Sequence, residues 1–343
     1  MQDVIGRSTV FVGLLEFDES LELSVIVPCH NEAENVEPLF AAIVDAFAEK
    51  LNGSYQVVFV DDGSSDSTLD LLRRVAESKP SSAEVTIVSF SRNFGKEAAL
   101  YAGLEHARGQ FVAFIDADLQ QSPETLMEMY ELLLSHDDVD CVAAYQESRG
   151  SGILRNAFSR CFYGILAKSS RMDIIPNASD FRVFRRSVAQ ALLTMGEYHR
   201  FTKGLFAWVG FSTLPFPYIP ADRNAGETSW SFSSLVRYAL EGLLSFSTFP
   251  LTIASYLGCI TSGVSMIYLI VVVAKRLLWG VDIPGFATLA ALILLFGGLQ
   301  LLVMGIMGSY LARMYIQGKQ RPIYLAKLVE EHKATLDGEP IAS

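Results

Sequence analysis

The sequence is poor in the residues that build metal centres and disulfide frameworks. Its 343 residues include four cysteines and five histidines. Cys29, Cys141, Cys161 and Cys259 form no CxxC pair and stand at no metal-ligand spacing with histidine. That sets aside a disulfide scaffold or zinc module and reads as reduced, buried thiols, as in a cytoplasmic domain. Positive charge is also short: 27 Lys and Arg against 38 Asp and Glu leave a net charge of −11. A nucleic-acid binder normally carries a basic surplus, so no nucleic-acid partner is expected. No cleavable leader is expected either. The apolar run at 9–15 ends in Glu16, Asp18 and Glu19 with no small-residue cleavage site. Residues 1–20 therefore read as an N-terminal extension rather than a signal peptide.

Apolar residues, by contrast, are plentiful and unevenly placed. They make up 50% of the chain, with the excess after Pro250. Residues 251–274 and 286–311 run without a charge. Each stretch exceeds the roughly 20 residues that cross a hydrocarbon core, so two transmembrane helices are expected within 250–312. The connector at 275–285 is short, which makes them a hairpin with both flanks on one side. Arg237 precedes the first span and Arg313, Lys319, Arg321 and Lys327 follow the second, against Lys275 and Arg276 between them. The positive-inside rule then places both flanks, including a tail at 313–343, on the cytoplasmic side of an inner or plasma membrane. Residues 231–249 precede the first span. Phe232, Leu235, Tyr238 and Leu243 give them an apolar face, suited either to the membrane interface or to packing on the preceding domain. Small residues at Gly258, Ser262, Gly297, Gly298 and Gly305 could pack the spans within one chain or between chains of a homo-oligomer.

Within 21–230, short apolar runs alternate with segments of helical spacing. Strands are expected at 23–27, 55–60, 85–90, 111–115 and 139–145, and helices at 31–50, 68–78, 96–107 and 123–135. This alternation predicts an α/β fold with a mostly parallel sheet covered on both faces. Ligands of such sheets bind beyond the carboxyl ends of the strands. The polar clusters at 28–32, 61–66 and 116–120 fall at those ends.

Three motifs carry chemistry. FIDADLQ at 114–120 delivers two carboxylates, Asp116 and Asp118, from the end of an apolar strand. Strand alternation would send them to opposite faces, so they meet one cation only if the chain turns there. Mg²⁺ or Mn²⁺ favours such oxygens and bridges to phosphate, which makes a diphosphate a better leaving group. VDDGSSD at 60–66 ends a strand with Asp61 and Asp62, and Gly63 permits a turn. A cap accounts for one aspartate; a second can accept a base N–H or a ribose hydroxyl. In PCHNEAENV at 28–36, Asn31 and Glu34 fit a helix cap, which leaves His30 and Glu32 unexplained.

These motifs resemble glycosyltransferase family 2, with its GT-A nucleotide-sugar fold. The similarity runs on through SRNFGKEAALYAGL at 91–104, ASDFRVFRRS at 178–187, RFTKGLFAWVGF at 200–211, AGETSWSFSSL at 225–235, EGLLSFSTFPL at 241–251 and RPIY at 321–324. The later blocks are similar to the polyprenyl-phosphate branch, which includes bactoprenol glucosyltransferases and dolichol-phosphate mannose synthase. The resemblance implies that Pro28, His30, Glu32, Asp61, Asp62 and Lys96 serve the donor, and that Asp116, Asp118 and Gln120 hold the Mg²⁺ or Mn²⁺ and the diphosphate. It puts Arg149, Arg155, Arg160 and Lys203 at the acceptor phosphate, and Asp180 and Arg182 beside the acceptor, with Asp118, Asp180 and Arg182 the catalytic set. Two positions depart from the family pattern: His30 stands where tyrosine is common, and Thr228 where many relatives have lysine.

The implied reaction moves a sugar, with inversion, from a UDP-sugar to a polyprenyl phosphate. UDP-glucose and undecaprenyl phosphate are the expected pair, with N-acetylglucosamine, mannose or modified arabinose as alternative sugars. A lipid monophosphate is already largely anionic, with a second pKa of about 6, so it needs no strong base. The task is to hold two anions together, with metal on the donor and arginines on the acceptor. Asp180 could orient the acceptor or act as a weak base. A processive polysaccharide synthase would show QxxRW and more spans, and a catalytically dead scaffold would have lost a carboxylate pair; neither applies.

Overall fold

The computed structural model describes residues 18–48, 50–51, 54–146, 178–219, 247–279 and 285–334. The chain divides into two compact units. One comprises the described residues up to 219 together with 322–334; the other comprises the described residues between 247 and 321.

The first unit is built on an eight-stranded sheet. In chain order its elements are β1 (Leu21–Cys29), α1 (Val36–Ala48), β2 (Ser54–Asp61), α2 (Thr68–Glu77), β3 (Ala83–Phe90), α3 (Lys96–His106), β4 (Phe111–Phe114), α4 (Pro123–Leu134) and β5 (Cys141–Gln146). Then follow β6 (Ala178–Arg185), α5 (Arg186–Leu193), α6 (Thr202–Val209), β7 (Thr213–Tyr218) and, after the apolar helices, β8 (Ala326–His332). The strand order is β7-β5-β6-β4-β1-β2-β3-β8. β4, β1, β2 and β3 run parallel. β6 and β8 pair antiparallel with β4 and β3, closing either side of that parallel block.

The parallel block forms because its strands are apolar on both faces. Leu23, Val25, Val27, Val57, Phe59, Val85 and Ile87 join one core with Val36, Leu39, Ile43 and Phe47 of α1. Ile26 faces the other way, against α3, where a Cβ at Gly103 would lie 2.2 Å from Ile26 Cγ2. Such close approach of helix to strand requires glycine. The expected helix at 31–50 begins only at Val36, because residues 31–35 are spent on a turn described below.

One strand escaped the sequence reading altogether. Residues 326–332 lie within the segment expected to be a tail, yet they pair with β3 from Val85↔His332 to Phe90↔Ala326. The reason is compositional: AKLVEEH is an edge strand of charged residues without an apolar run. Arg73 of α2 clamps it with a forked contact to Glu330, Nη2 to Oε1 at 2.9 Å and Nε to Oε2 at 3.1 Å.

The second unit contains α7 (Phe249–Trp279) and α8 (Phe286–Gly318). Phe249–Lys275 and Leu292–Gly318 are each 27 residues long, apolar enough to cross a membrane, and not buried against protein. α7 runs past the expected end at 274, through Lys275 and Arg276. The Tyr310 hydroxyl donates to the Ser247 carbonyl at 2.6 Å, tying the end of α8 to the start of α7. Most of the expected amphipathic helix at 231–249 lies outside the described residues.

Candidate active site

The strand order reverses beside β1: β2 and β3 follow on one side and β4 on the other. Crevices at such reversals are where open α/β sheets bind ligands. The three motifs meet there.

The first two motifs lock each other. After β1 the chain turns at Asn31, which has φ +56°. Asn31 Oδ1 accepts the Ser65 N–H at 2.8 Å, and the Asn31 N–H donates to Ser64 Oγ at 3.0 Å. The Glu32 N–H donates to Thr68 Oγ1 at 2.9 Å. Asn31 thus braces the neighbouring loop instead of capping α1. His30 is exposed at the end of β1, within 3.5 Å of the Asn31 amide.

Asp61 and Asp62 are both buried. Asp61 accepts from the Ser64 N–H at 3.0 Å and the Ser89 hydroxyl at 2.7 Å. Asp62 accepts from the backbone N–H groups of Phe94 (2.6 Å) and Gly95 (2.9 Å), the two residues before α3. Burial pushes the Asp62 carboxyl up, against the pull of those two N–H groups. Between the aspartates and the serines, Gly63 has φ +64° and packs on the Arg92–Asn93 backbone, where a Cβ would lie 2.5 Å from the Arg92 carbonyl carbon. The pair therefore builds the wall of the crevice and sets the entry of α3.

The turn required by FIDADLQ is present. β4 stops at Phe114, and Leu119 takes the left-handed conformation at φ +60°. Asp118 Oδ1 accepts the Gln120 N–H at 3.2 Å. Asp116 is held from three sides. Gln121 Oε1 accepts its N–H at 2.9 Å, Gln121 Nε2 donates to its Oδ2 at 2.9 Å, and Lys96 Nζ lies 2.5 Å from its Oδ1. Gln121 is buried, and no motif in the sequence marks its brace on Asp116. Ser122 then caps α4, accepting the Thr125 N–H at 3.2 Å, with Pro123 in the first turn.

Lys96, at the first turn of α3, links this turn to β6. Its Nζ lies 3.3 Å from Asp180 Oδ2. Burial alone would raise the Asp180 pKa, but the charges of Lys203, Lys96 and Arg182 outweigh it and hold the carboxyl down at about 2. Asp180 Oδ1 is buried without a hydrogen-bond partner among the described residues. Arg182 is buried, with its guanidinium 4.4 Å from the Phe206 ring centroid and Nε donating to the Ser179 carbonyl at 3.1 Å. Glu97 accepts from the Thr202 N–H at 2.9 Å and from its hydroxyl, fastening the start of α6 to the start of α3. Glu97 and Thr202 lie in the blocks at 91–104 and 200–211, but no pattern within either block pairs them. Arg149, Arg155 and Arg160 lie outside the described residues.

For a divalent cation the described residues offer the hard oxygens of Asp116 and Asp118 on one turn. No group of three or more His, Cys, Asp or Glu gathers to hold a metal among the described residues. The donor set therefore fits Mg²⁺ or Mn²⁺, ions commonly held by one or two carboxylates together with substrate phosphates.

Comparison with known proteins agrees with this architecture. Residues 24–193 match glycosyl transferase family 2. The chain is 39% identical over 307 residues to an uncharacterized glycosyltransferase of Synechocystis sp., covering 89% of this chain and 95% of that protein. It is 37% identical over 308 residues to the bactoprenol glucosyl transferase of Shigella phage SfV, covering 90% and 98%. Among solved structures, glucosyl-3-phosphoglycerate synthase from Mycobacterium tuberculosis in complex with uridine diphosphate aligns at 19% identity and TM-score 0.42, over 66% of this chain and 79% of that one. That last likeness is too slight to bear on ligands. The long, nearly end-to-end match to the first two proteins is decisive, and the chain belongs to glycosyl transferase family 2, as a glycosyltransferase with the GT-A fold followed by two apolar helices.

Proposed function

We propose that the enzyme transfers glucose from UDP-glucose to undecaprenyl phosphate at the cytoplasmic membrane face, giving a β-linked lipid phosphate sugar for cell-envelope glycans. The observation that carries this reading is the pairing of an Asp116–Asp118 turn with a cationic cluster at Asp180. Relatives named bactoprenol glucosyl transferase, matched over nearly their whole length, supply the acceptor class.

Asp116 and Asp118, with Gln120, would hold Mg²⁺ or Mn²⁺, which when bound neutralises charge developing on the departing diphosphate. The remaining work falls to the chain. Asp61 and Asp62 shape the nucleotide wall with Pro28, His30 and Glu32. Lys96, Lys203 and Arg182 concentrate positive charge where two anions must approach. Asp180, held near pKa 2, is too weak a base to take a proton at neutral pH. It orients the cations instead, and the lipid phosphate attacks as the anion it already is. Arg149, Arg155 and Arg160 are proposed to grip that phosphate.

Sidedness is supported by β8. It pairs with β3, yet follows both apolar helices in the chain. If α7 and α8 each cross the bilayer, the sheet needs its first seven strands and its last on the same face. The excess of Lys and Arg on those flanks favours the cytoplasm.

The test is a donor panel with purified full-length protein and undecaprenyl phosphate. Transfer from UDP-glucose in preference to UDP-N-acetylglucosamine and GDP-mannose is expected. Preference for another donor would overturn the sugar while leaving the reaction class. No lipid product from any of them would overturn the acceptor.

A further inference from the structure

Lys96 bridges two carboxylates that the proposed reaction uses differently. Its ammonium is 2.5 Å from Asp116 Oδ1 and 3.3 Å from Asp180 Oδ2. The other oxygen of Asp116 is already occupied by the Gln121 amide at 2.9 Å. A divalent cation coming to Asp116 therefore finds one oxygen facing an ammonium and the other already accepting an amide N–H. The place is accessible, since 43% of the Lys96 side chain and 29% of the Asp116 side chain are exposed. Behind them, Asp180 Oδ1 is buried and has no hydrogen-bond partner among the described residues. An ammonium released from Asp116 thus has an acceptor waiting on the carboxylate it already touches.

Two carboxylates bridged by one ammonium repel each other when the bridge is removed. Lys203 and Arg182 also offset the Asp180 charge, so the carboxylate left to be neutralised is Asp116, which Lys96 touches directly. We propose that Lys96 is a stand-in cation. It neutralises Asp116 while the site lacks donor, yields Asp116 Oδ1 to the divalent ion that arrives with the nucleotide diphosphate, and retains Asp180. The inference rests on the reading of Asp116 and Asp118 as metal-holding carboxylates. Its consequence is coupled binding. Metal alone must push an ammonium aside, whereas metal with diphosphate brings a new anion to receive it. Coupling of this kind is reciprocal, so metal must strengthen nucleotide binding by the same factor.

The experiment measures Mn²⁺ binding by electron paramagnetic resonance on the purified full-length protein, with and without UDP. Wild type is expected to bind Mn²⁺ weakly alone and far more tightly with UDP. Lys96→Met should bind Mn²⁺ alone on the order of tenfold more tightly than wild type, and should lose a matching part of the gain from UDP. Lys96→Arg keeps the charge and should stay near wild type. Lys96→Gln, also neutral but able to donate to Asp180, is read beside Lys96→Met in case the latter fails to fold. Neutral variants that bind Mn²⁺ alone no better than wild type would overturn the stand-in role, with the metal reading intact if wild type still binds Mn²⁺ in the presence of UDP. Wild type that binds no Mn²⁺ even with UDP would overturn both.

Discussion

Tyr324 lies face to face with Phe90, their ring centroids 4.8 Å apart and their planes 23° from parallel. The Tyr324 hydroxyl donates to Glu105 at 2.7 Å, and the neighbouring Leu325 carbonyl accepts the Ser91 N–H at 3.0 Å. Phe90 meets Phe94 edge-on at 5.7 Å, and the Phe94 N–H is one of the two that hold Asp62. The segment that follows the second apolar helix therefore buttresses the loop on which Lys96 is mounted.

Replacing Tyr324 should separate these contributions. Tyr324→Phe keeps the stack and loses a hydrogen bond, at a cost of roughly 0.5–1.5 kcal/mol. Tyr324→Ala also loses the aromatic pair, roughly another 0.5–1.5 kcal/mol. Thermal unfolding should rank wild type, Phe and Ala in that order, and calorimetric UDP binding should weaken clearly only for Ala. Equal UDP affinity in all three would show that the stack does not reach the donor site.

Much of this was legible in advance, and what was not has physical causes. The parallel core announced itself because Leu23–Val27 and Val57–Val60 are apolar on both faces, and the DADLQ turn was required by the chemistry of Asp116 and Asp118. β8 was hidden because an edge strand needs no apolar run. Asn31 misled because an Asx residue before a helix serves a cap or a cross-loop brace equally well. The meeting of Lys96 with Asp180 joins α3 to β6 across the sheet, and no local pattern encodes such a contact.

Gly63 should tolerate nothing larger. Its φ of +64° alone costs alanine roughly 1–3 kcal/mol, and the added Cβ would collide with the Arg92 backbone. Gly63→Ala should lower the melting temperature and weaken UDP binding together, because the same turn fixes Asp61 and Asp62. An unchanged melting temperature would contradict the turn geometry.

The pH profile should carry no signature of Asp180. Its folded pKa, about 2, lies below the ordinary carboxyl value. Its ionised form therefore stabilises the fold above the ordinary carboxyl range, and that contribution is lost as pH falls from the ordinary value, 3.8, through about 2. The acid limb of transfer should instead fall near pH 6, where the lipid phosphate takes up its proton. A limb that moves in Asp180→Asn would make Asp180 a titrating base after all.

Topology can be read by labelling. A cysteine placed at Gly280 should react with an impermeant reagent from outside intact cells, and one placed at Gly338 should not. The reverse pattern would put the sheet on the outer face, away from cytoplasmic nucleotide sugars.

The most direct measurement is transfer of labelled sugar from UDP-glucose into extractable undecaprenyl phosphate by the full-length protein in Mg²⁺ or Mn²⁺. Wild type should form the lipid product, and both excess EDTA and Asp118→Ala should reduce its rate by at least on the order of 100-fold. Full transfer in EDTA, or an undiminished Asp118→Ala enzyme, would contradict the account.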